Sequence, residues 1–428
     1  MAKTIKVDYL ARVEGEGALT IRFKGNEVRD VKLRIFEPPR FFEGFLRGRG
    51  QEEAPDITAR ICGICPVAYQ MSACHAIEDA VGVRVDGALR TLRRLLYCGE
   101  WIESHCLHMF LLHLPDFLGY QDAVAMAKDH GALVQRGLRM KKAGNAIINV
   151  IGGREVHPIN VKLGGFYRVP MHKELETLLP DLRWARAAAV ETVAEFAKLD
   201  FPDFEHDYEF VALRHADEYP FCEGRIVSSK GLDLTVHEYD DTFEEQQVPH
   251  STALHSVVKG RGAYVCGPLA RVNLNFDKMR RVAREAAERA GFTVPCTNPF
   301  KGLLARAVEV VQAFDEAVEI IESYSPPQQA CLDVARKAAT GYGCTEAPRG
   351  ILYHRYTVDD EGLIQDAHII PPTSQNQKSI EADLYSIAAR LAEMPHEDAT
   401  WLAEQTVRNY DPCISCSTHF LTLTIERE

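Results

Sequence analysis

Arg60-Ile61-Cys62-Gly63-Ile64-Cys65-Pro66 and, near the other end of the chain, Asp411-Pro412-Cys413-Ile414-Ser415-Cys416-Ser417-Thr418-His419 are the stretches whose reading decides the fold. Each holds a Cys-x-x-Cys turn, which aims two sulfurs at one point, so the two turns together can bring four thiolates to one centre. Soft thiolates select nickel, zinc, copper(I) or iron–sulfur clusters over magnesium or calcium. A structural zinc ribbon is the plain alternative. Such ribbons carry both knuckles within one short module, whereas these turns stand far apart. The first turn also follows an arginine and encloses a glycine, and the second follows Asp-Pro and is trailed by His419. Two distant half-sites that meet require the chain between them to fold as one intertwined unit.

The chain has 428 residues, 46% hydrophobic and 26% charged, which is ordinary globular material with enough apolar mass for a large core. No Pro/Gly/Ser-rich linker or low-complexity run divides it, so the expectation is a single intertwined domain over 1–419. Within it we read a small sheet at 1–40, a helical core at 50–200, a mixed segment at 205–275 and C-terminal helices with a hairpin at 277–419. A net charge of −12 without basic clusters makes a poor nucleic-acid binder. No stretch approaches the length of a membrane span, and residues 1–20 lack the apolar core of a secretory signal. Twelve cysteines are sparse in a chain of this size. They read as reduced thiols in a cytoplasmic protein.

The expected fold class is α+β, mostly α, with small antiparallel sheets near the N-terminus and around 350–370. Ile5, Val7, Leu19, Ile21, Leu33 and Ile35 recur at strand spacing, and Gly25-Asn26 suits a hairpin turn. A helix-like stretch follows Pro38-Pro39 up to the first cysteine turn. Pro66 is a favoured first helical residue, which puts that turn at a helix N-terminus, where the dipole stabilises thiolate. Apolar spacing predicts helices at 87–114 (stopped by Pro115), 122–151, 173–199 (kinked or split at Pro180), 277–291, 303–323, 326–340, 377–394 and 398–410. Residues 351–356 and 363–370 read as a hairpin, closed by Pro371-Pro372. His105, His108 and His113 read as core-helix histidines, and His206, His215, His237, His250 and His255 are scattered without ligand spacing.

With these residues in view, the chain resembles the large, catalytic subunit of a nickel–iron hydrogenase. Both cysteine stretches match that family's signatures. So do Arg12-Val13-Glu14-Gly15, Phe41-Phe42-Glu43, His113-Leu114-Pro115-Asp116 and Glu346-Ala347-Pro348-Arg349-Gly350, and the matches run from near the N-terminus to His419. The style is that of the cytoplasmic, cofactor-linked branch. The resemblance implies nickel, iron carrying carbon monoxide and cyanide, and magnesium. Cys62 and Cys413 would be terminal on nickel, with Cys65 and Cys416 bridging to iron. Glu43, the Ile369 carbonyl and His419 would hold magnesium. Cys413 would take the proton of dihydrogen and pass it to Glu14. Pro348, Arg349 and Thr373 would stand over the metals, with Thr373 on a cyanide. Asp411 and Asp116 would complete the charged surroundings, Asp116 in a network that includes Arg349. Metal-free relatives in quinone-linked complexes share this fold as a scaffold but lack the complete cysteine set, which is present here.

The remaining cysteines, Cys98, Cys106, Cys222, Cys266, Cys296, Cys331 and Cys344 among them, show no cluster-binding spacing. No iron–sulfur cluster is therefore expected in this chain, and a separate iron–sulfur small subunit is implied. No Gly-x-Gly-x-x-Gly unit is present, so any nicotinamide binds on further, diaphorase-type subunits. The resemblance further implies that a maturation endopeptidase removes residues 420–428. At Tyr69 the family usually has histidine, a departure that touches a hydrogen bond behind the metal ligands.

Overall fold

The computed structural model describes residues 4–25, 27–38 and 40–418. The proposed ligand His419 and the extension 420–428 lie outside the described residues. Strands β1 (Thr4–Val7), β2 (Gly17–Lys24) and β3 (Glu27–Ile35) form an antiparallel sheet in that order. Its register sets Ile5 opposite Ile21 and Leu19 opposite Leu33, so the alternating apolar residues fall on one buried face.

The chain then reaches the first cysteine turn through short helical pieces, Phe42–Leu46 and Ala54–Thr58, rather than one continuous helix. Between them the backbone bonds elsewhere: the Gly48 and Gln51 amides donate to the Ile364 and Gly362 carbonyls. Helix α1 (Pro66–Val81) starts directly after Cys65, with the expected proline in its first turn. Helix α2 (Gly87–Cys106) runs on through a π-helical segment, Leu107–His113, into a short helix Leu114–Leu118. Pro115 therefore does not end the helical path. It sits in a first turn, where a missing N–H costs little, and the chain leaves only at Gly119.

Helix α3 (Ala123–Gly152) is capped by the Asp122 carboxylate on the Ala125 amide, 2.8 Å away. The helix expected at 173–199 is split, and α4 (Leu179–Phe196) carries Pro180 in its first turn. Strands β4 (Phe243–Gln246) and β5 (His255–Val258) pair antiparallel in the mixed segment. Helix α5 (Gly302–Ser323) is buried on nearly every side, as the central helix of a bundle must be.

The helix expected over 326–340 is absent from the fold. Residues 325–338 are irregular, and the Phe166 and Leu332 amides bond to the Ala330 and Gly164 carbonyls, pairing this stretch with a two-strand turn. Strand β6 (Ala339–Ala347) follows, and joins β7 (Gly350–Val358) and β8 (Ile364–Ile370) in one antiparallel sheet. β6 lies flush on α1. A Cβ on Gly341 would stand 2.0 Å from the Ala76 carbonyl oxygen, and one on Gly343 2.4 Å from that of Ser72. Only a glycine strand fits so close to a helix backbone.

Helix α6 (Pro372–Glu393) begins five residues earlier than the spacing of its apolar face indicates, because Pro372 starts the helix instead of closing the hairpin. Helix α7 (His396–Arg408) leads to the second cysteine turn. One buried cluster extends from Ile5 to Cys416 and includes the cysteines of both turns.

Candidate metal centre

The sulfurs of Cys62, Cys65, Cys413 and Cys416 all lie within 4.8 Å of one another, and all four residues are buried. Cys62 Sγ is 3.5 Å from Cys413 Sγ, and Cys413 Sγ is 3.0 Å from Cys416 Sγ. These separations exceed the roughly 2.05 Å of a disulfide. They suit four ligands around shared ions.

Each turn is held from behind. Cys62 Sγ accepts from the Ile64 and Cys65 amides at 3.3 and 3.2 Å, which curls the first turn around its own sulfur. Glu100 of α2 accepts from the Val67 and Ala68 amides at 2.6 and 3.1 Å, anchoring the first turn of α1 where unpaired N–H groups collect. Burial still pushes the Glu100 carboxyl well above its usual range, against the Val67 amide that favours the charge. Arg40 donates to the Ile61 carbonyl at 2.6 Å and to the Ser415 carbonyl, so one guanidinium staples the two turns together.

In the second turn, Asp411 takes a left-handed backbone (φ 51°), a conformation short polar residues tolerate. Arg349 grips it, Nε on the Asp411 carbonyl at 2.6 Å and Nη2 on Oδ1 at 3.1 Å. Arg349 owes its place to β6 and β7. Ala347 pairs with Gly350, so Pro348-Arg349 forms the two-residue tip of a buried hairpin. The Pro348 carbonyl accepts from Arg271, which also bonds the Ala347 carbonyl, Glu309 and Glu346. The Cys413 amide donates to Thr373 Oγ1 at 3.0 Å, which leaves the Thr373 hydroxyl hydrogen available.

Glu14 is registered on the second turn by its backbone. It forms a parallel bridge to Cys413, and the Ile414 amide donates to the Glu14 carbonyl at 2.9 Å. Its Oε2 then lies 3.1 Å from Cys413 Sγ and 3.0 Å from the Ser415 amide. Gly15 permits this approach: its φ is +87°, and a Cβ there would stand 2.8 Å from Ile414 Cβ.

Asp116 does not join Arg349. It receives Arg408 Nε and Nη2 at 2.7 and 2.8 Å and Arg12 Nη2 at 2.6 Å. One buried carboxylate thereby ties the residues just before Glu14 to those just before Cys413. Glu43 and Ile369 meet through the Ile369 amide, which donates to Glu43 Oε1 at 2.7 Å. Both line a cavity of about 330 Å³ that Cys416 also borders. The Tyr69 hydroxyl, buried behind the first turn, has no hydrogen-bond partner among the described residues.

Four buried thiols this close cannot all ionise unaided. Hydrogen bonding from Cys413, then Cys416 and Cys65, holds the Cys62 thiol well below its ordinary value, while bonding to Cys416 and Cys62 holds Cys413 well above. Metal cations lift that restriction by binding the thiolates directly. The buried Arg349 Nη1 has no hydrogen-bond partner among the described residues, and its guanidinium lies close enough to Cys413, Cys65 and Cys62 to act on their charge. Four soft sulfurs and an uncommitted buried donor fit a thiolate-bound metal pair whose outer ligands accept hydrogen bonds.

A family model described as nickel-dependent hydrogenase matches residues 40–136 and 259–419. This chain belongs to the nickel-dependent hydrogenase family. Sulfhydrogenase 1 subunit alpha of Pyrococcus furiosus is 36% identical to this hydrogenase chain over 423 residues, covering 98% of each. The NAD-reducing hydrogenase HoxS subunit beta of Cupriavidus necator is 28% identical over 475 residues, covering 98% of this chain and 96% of its own. Among solved structures, an NAD+-reducing [NiFe]-hydrogenase in the H2-reduced state superposes with a TM-score of 0.90 at 27% identity, over 97% of this chain and 99% of that one.

Sequence reading of this hydrogenase missed Glu100, Arg408 and the stapling role of Arg40. Arg40 adjoins the Phe41-Phe42-Glu43 patch, but no spacing rule links it to the cysteines. Glu100 sits on an apolar helix face, where a lone carboxylate is the one local sign that something buried needs an acceptor. Among the described residues the other cysteines take no part in any convergent group of potential metal ligands.

Proposed function

We propose that this chain is the catalytic subunit that reversibly splits dihydrogen into two protons and two electrons. The observation that carries the reading is the contact of Cys413 Sγ with Glu14 Oε2 at 3.1 Å inside a four-sulfur cluster. Cys62 and Cys413 would hold nickel alone, and Cys65 and Cys416 would share it with an iron that carries carbon monoxide and cyanide. Bound there, the metals supply the Lewis acid and the electron acceptor that an apolar, very weak acid needs.

The protein's own part is proton handling and enclosure. Cys413 Sγ is the base, and Glu14 Oε2, within hydrogen-bond reach, receives its proton. The Ser415 amide keeps Glu14 Oε2 oriented toward the sulfur. Arg349, through its unpaired Nη1, would donate to the outer ligands of a bound metal, and Thr373 would offer its hydroxyl hydrogen beside Cys413. Glu43 and the Ile369 backbone, with His419, would hold magnesium beside the cavity next to Cys416. Among the described residues no second group of cysteines converges, and electrons would pass to an iron–sulfur small subunit. The name of the Cupriavidus necator relative, an NAD-reducing hydrogenase, favours NAD as the final acceptor, which would be reached through diaphorase-type subunits.

Metal analysis with infrared spectroscopy tests this. Nickel and iron near one each, with carbon monoxide and cyanide bands, are expected, and both metals should fall together in Cys416→Ser. Full zinc occupancy without nickel overturns the reading.

A further inference from the structure

Glu381 lies far from His250 and His255 in sequence, and on spacing alone the two histidines belong to no site. The fold gathers them. His250 lies in the loop between β4 and β5, His255 opens β5, and Glu381 sits on α6. One ligand atom from each lies within 4.8 Å of the other two. His250 Nε2 is 2.8 Å from Glu381 Oε1, and the two imidazole rings meet edge to face with centroids 5.8 Å apart.

A simple His250–Glu381 ion pair accounts for part of this. It leaves His255 unexplained. That residue is only 3% exposed, yet its Nε2 is buried without a hydrogen-bond partner among the described residues. A buried ring nitrogen left unpaired is destabilising, and a ligand removes that cost. We propose that His250, His255 and Glu381 form a second metal site, separate from the cysteine centre, for a first-row divalent cation of the zinc class.

The donor chemistry fits. Two imidazoles and one carboxylate suit zinc, and water can fill the fourth position. Ligand atoms around one tetrahedral ion at about 2.1 Å stand about 3.4 Å apart, so closing the set needs side-chain rotations of about an ångström. Glu381 is already oriented from behind, because the Leu33 amide of β3 donates to its Oε1 at 2.8 Å. Burial, then the neighbouring His250 and Lys378, lowers His255 to about 4, so it is neutral and able to ligate at neutral pH. Lys378 opposes a bound cation, and Asp30, which acts on Glu381, favours one.

The location gives the ion a structural task. It would pin the loop before β5 to α6 and β3. That same loop donates the Thr252 amide to the Ile35 carbonyl, and its Ala253 bridges to Thr418, two residues beyond Cys416. The site thus braces the wall on which the second cysteine turn rests.

The test compares zinc uptake by the complete, metal-loaded protein and by His250→Ala and His250→Ala/His255→Ala, each checked by circular dichroism. Zinc alone is titrated against a chromophoric chelator, and the cysteine centre is common to all three proteins. We expect one zinc equivalent more in the parent than in the double variant, at least tenfold weaker binding in His250→Ala, and a zinc-dependent rise in melting temperature confined to the parent. His250 is only partly buried, so its single variant remains informative if the double variant fails to fold. Equal zinc uptake and equal melting shifts in parent and His250→Ala would overturn the proposal.

Discussion

Glu14 Oε2 stands 3.1 Å from Cys413 Sγ although 399 positions separate the two residues. The contact is not a chance meeting of side chains. The backbone bridge between the same two residues fixes it, and so does the Asp116 carboxylate, which ties Arg12 to Arg408. Proton transfer requires this kind of over-determined geometry, because a small displacement would break the hydrogen bond.

Glu14→Gln keeps the size of the side chain and can still bond the Ser415 amide, but it cannot carry a proton. Nickel and iron content should stay at the parent level while turnover and hydrogen–deuterium exchange fall by about 10²–10⁴. Normal exchange in a fully metallated variant would send the protons by another route. Loss of the metals would make Glu14 structural.

Arg349→Lys replaces a planar fork by a point charge. A lysine cannot hold both the Asp411 carbonyl and Oδ1 and still present a third donor. Activity should drop by about 10²–10³ with metals retained, as for loss of one preorganised donor. The cyanide infrared bands should shift. Unchanged bands with parent activity would remove Arg349 from the site's chemistry.

Asp116→Ala leaves Arg408 buried without its main partner and releases Arg12. Breaking a buried pair from one side costs about 3–5 kcal/mol. The denaturant midpoint should fall accordingly, measured at constant slope. A change below about 1 kcal/mol, within the range of an exposed pair, would show that water replaces the carboxylate.

Asp383 predicts a pH dependence. It is buried between Tyr208 and Tyr410, whose hydroxyls donate to it, and burial pushes its carboxyl up to about 7. The folded chain therefore holds a proton that the unfolded chain releases near pH 4. Its contribution is full below about pH 4 and lost as pH rises through 7, roughly 4 kcal/mol in all. Asp383→Asn stays neutral throughout, so its melting temperature should fall less than the parent's between pH 5 and pH 8. Identical slopes would mean that the native carboxyl ionises as freely as the unfolded one.

The sequence by itself singled out the four cysteines that converge. Cys-x-x-Cys is a local geometry, and proline after Cys65 sets a helix start by its own ring, so the thiolates and α1 were legible without a fold. The N-terminal sheet was equally legible, because strand alternation is a property of neighbouring residues. The stretch 326–340 was not. Its apolar spacing reads as helical, but its backbone instead bonds to Gly164 and Phe166, partners the local pattern cannot see. The same limit hid Arg40, Glu100 and Arg408, which act through carbonyls, amides and a carboxylate supplied by distant segments. The resemblance already paired Glu14 with Cys413, whereas tertiary structure alone decided which arginines hold Asp116. Those choices depend on how strands and helices pack, and a buried charge keeps its place only where the whole fold supplies its partner.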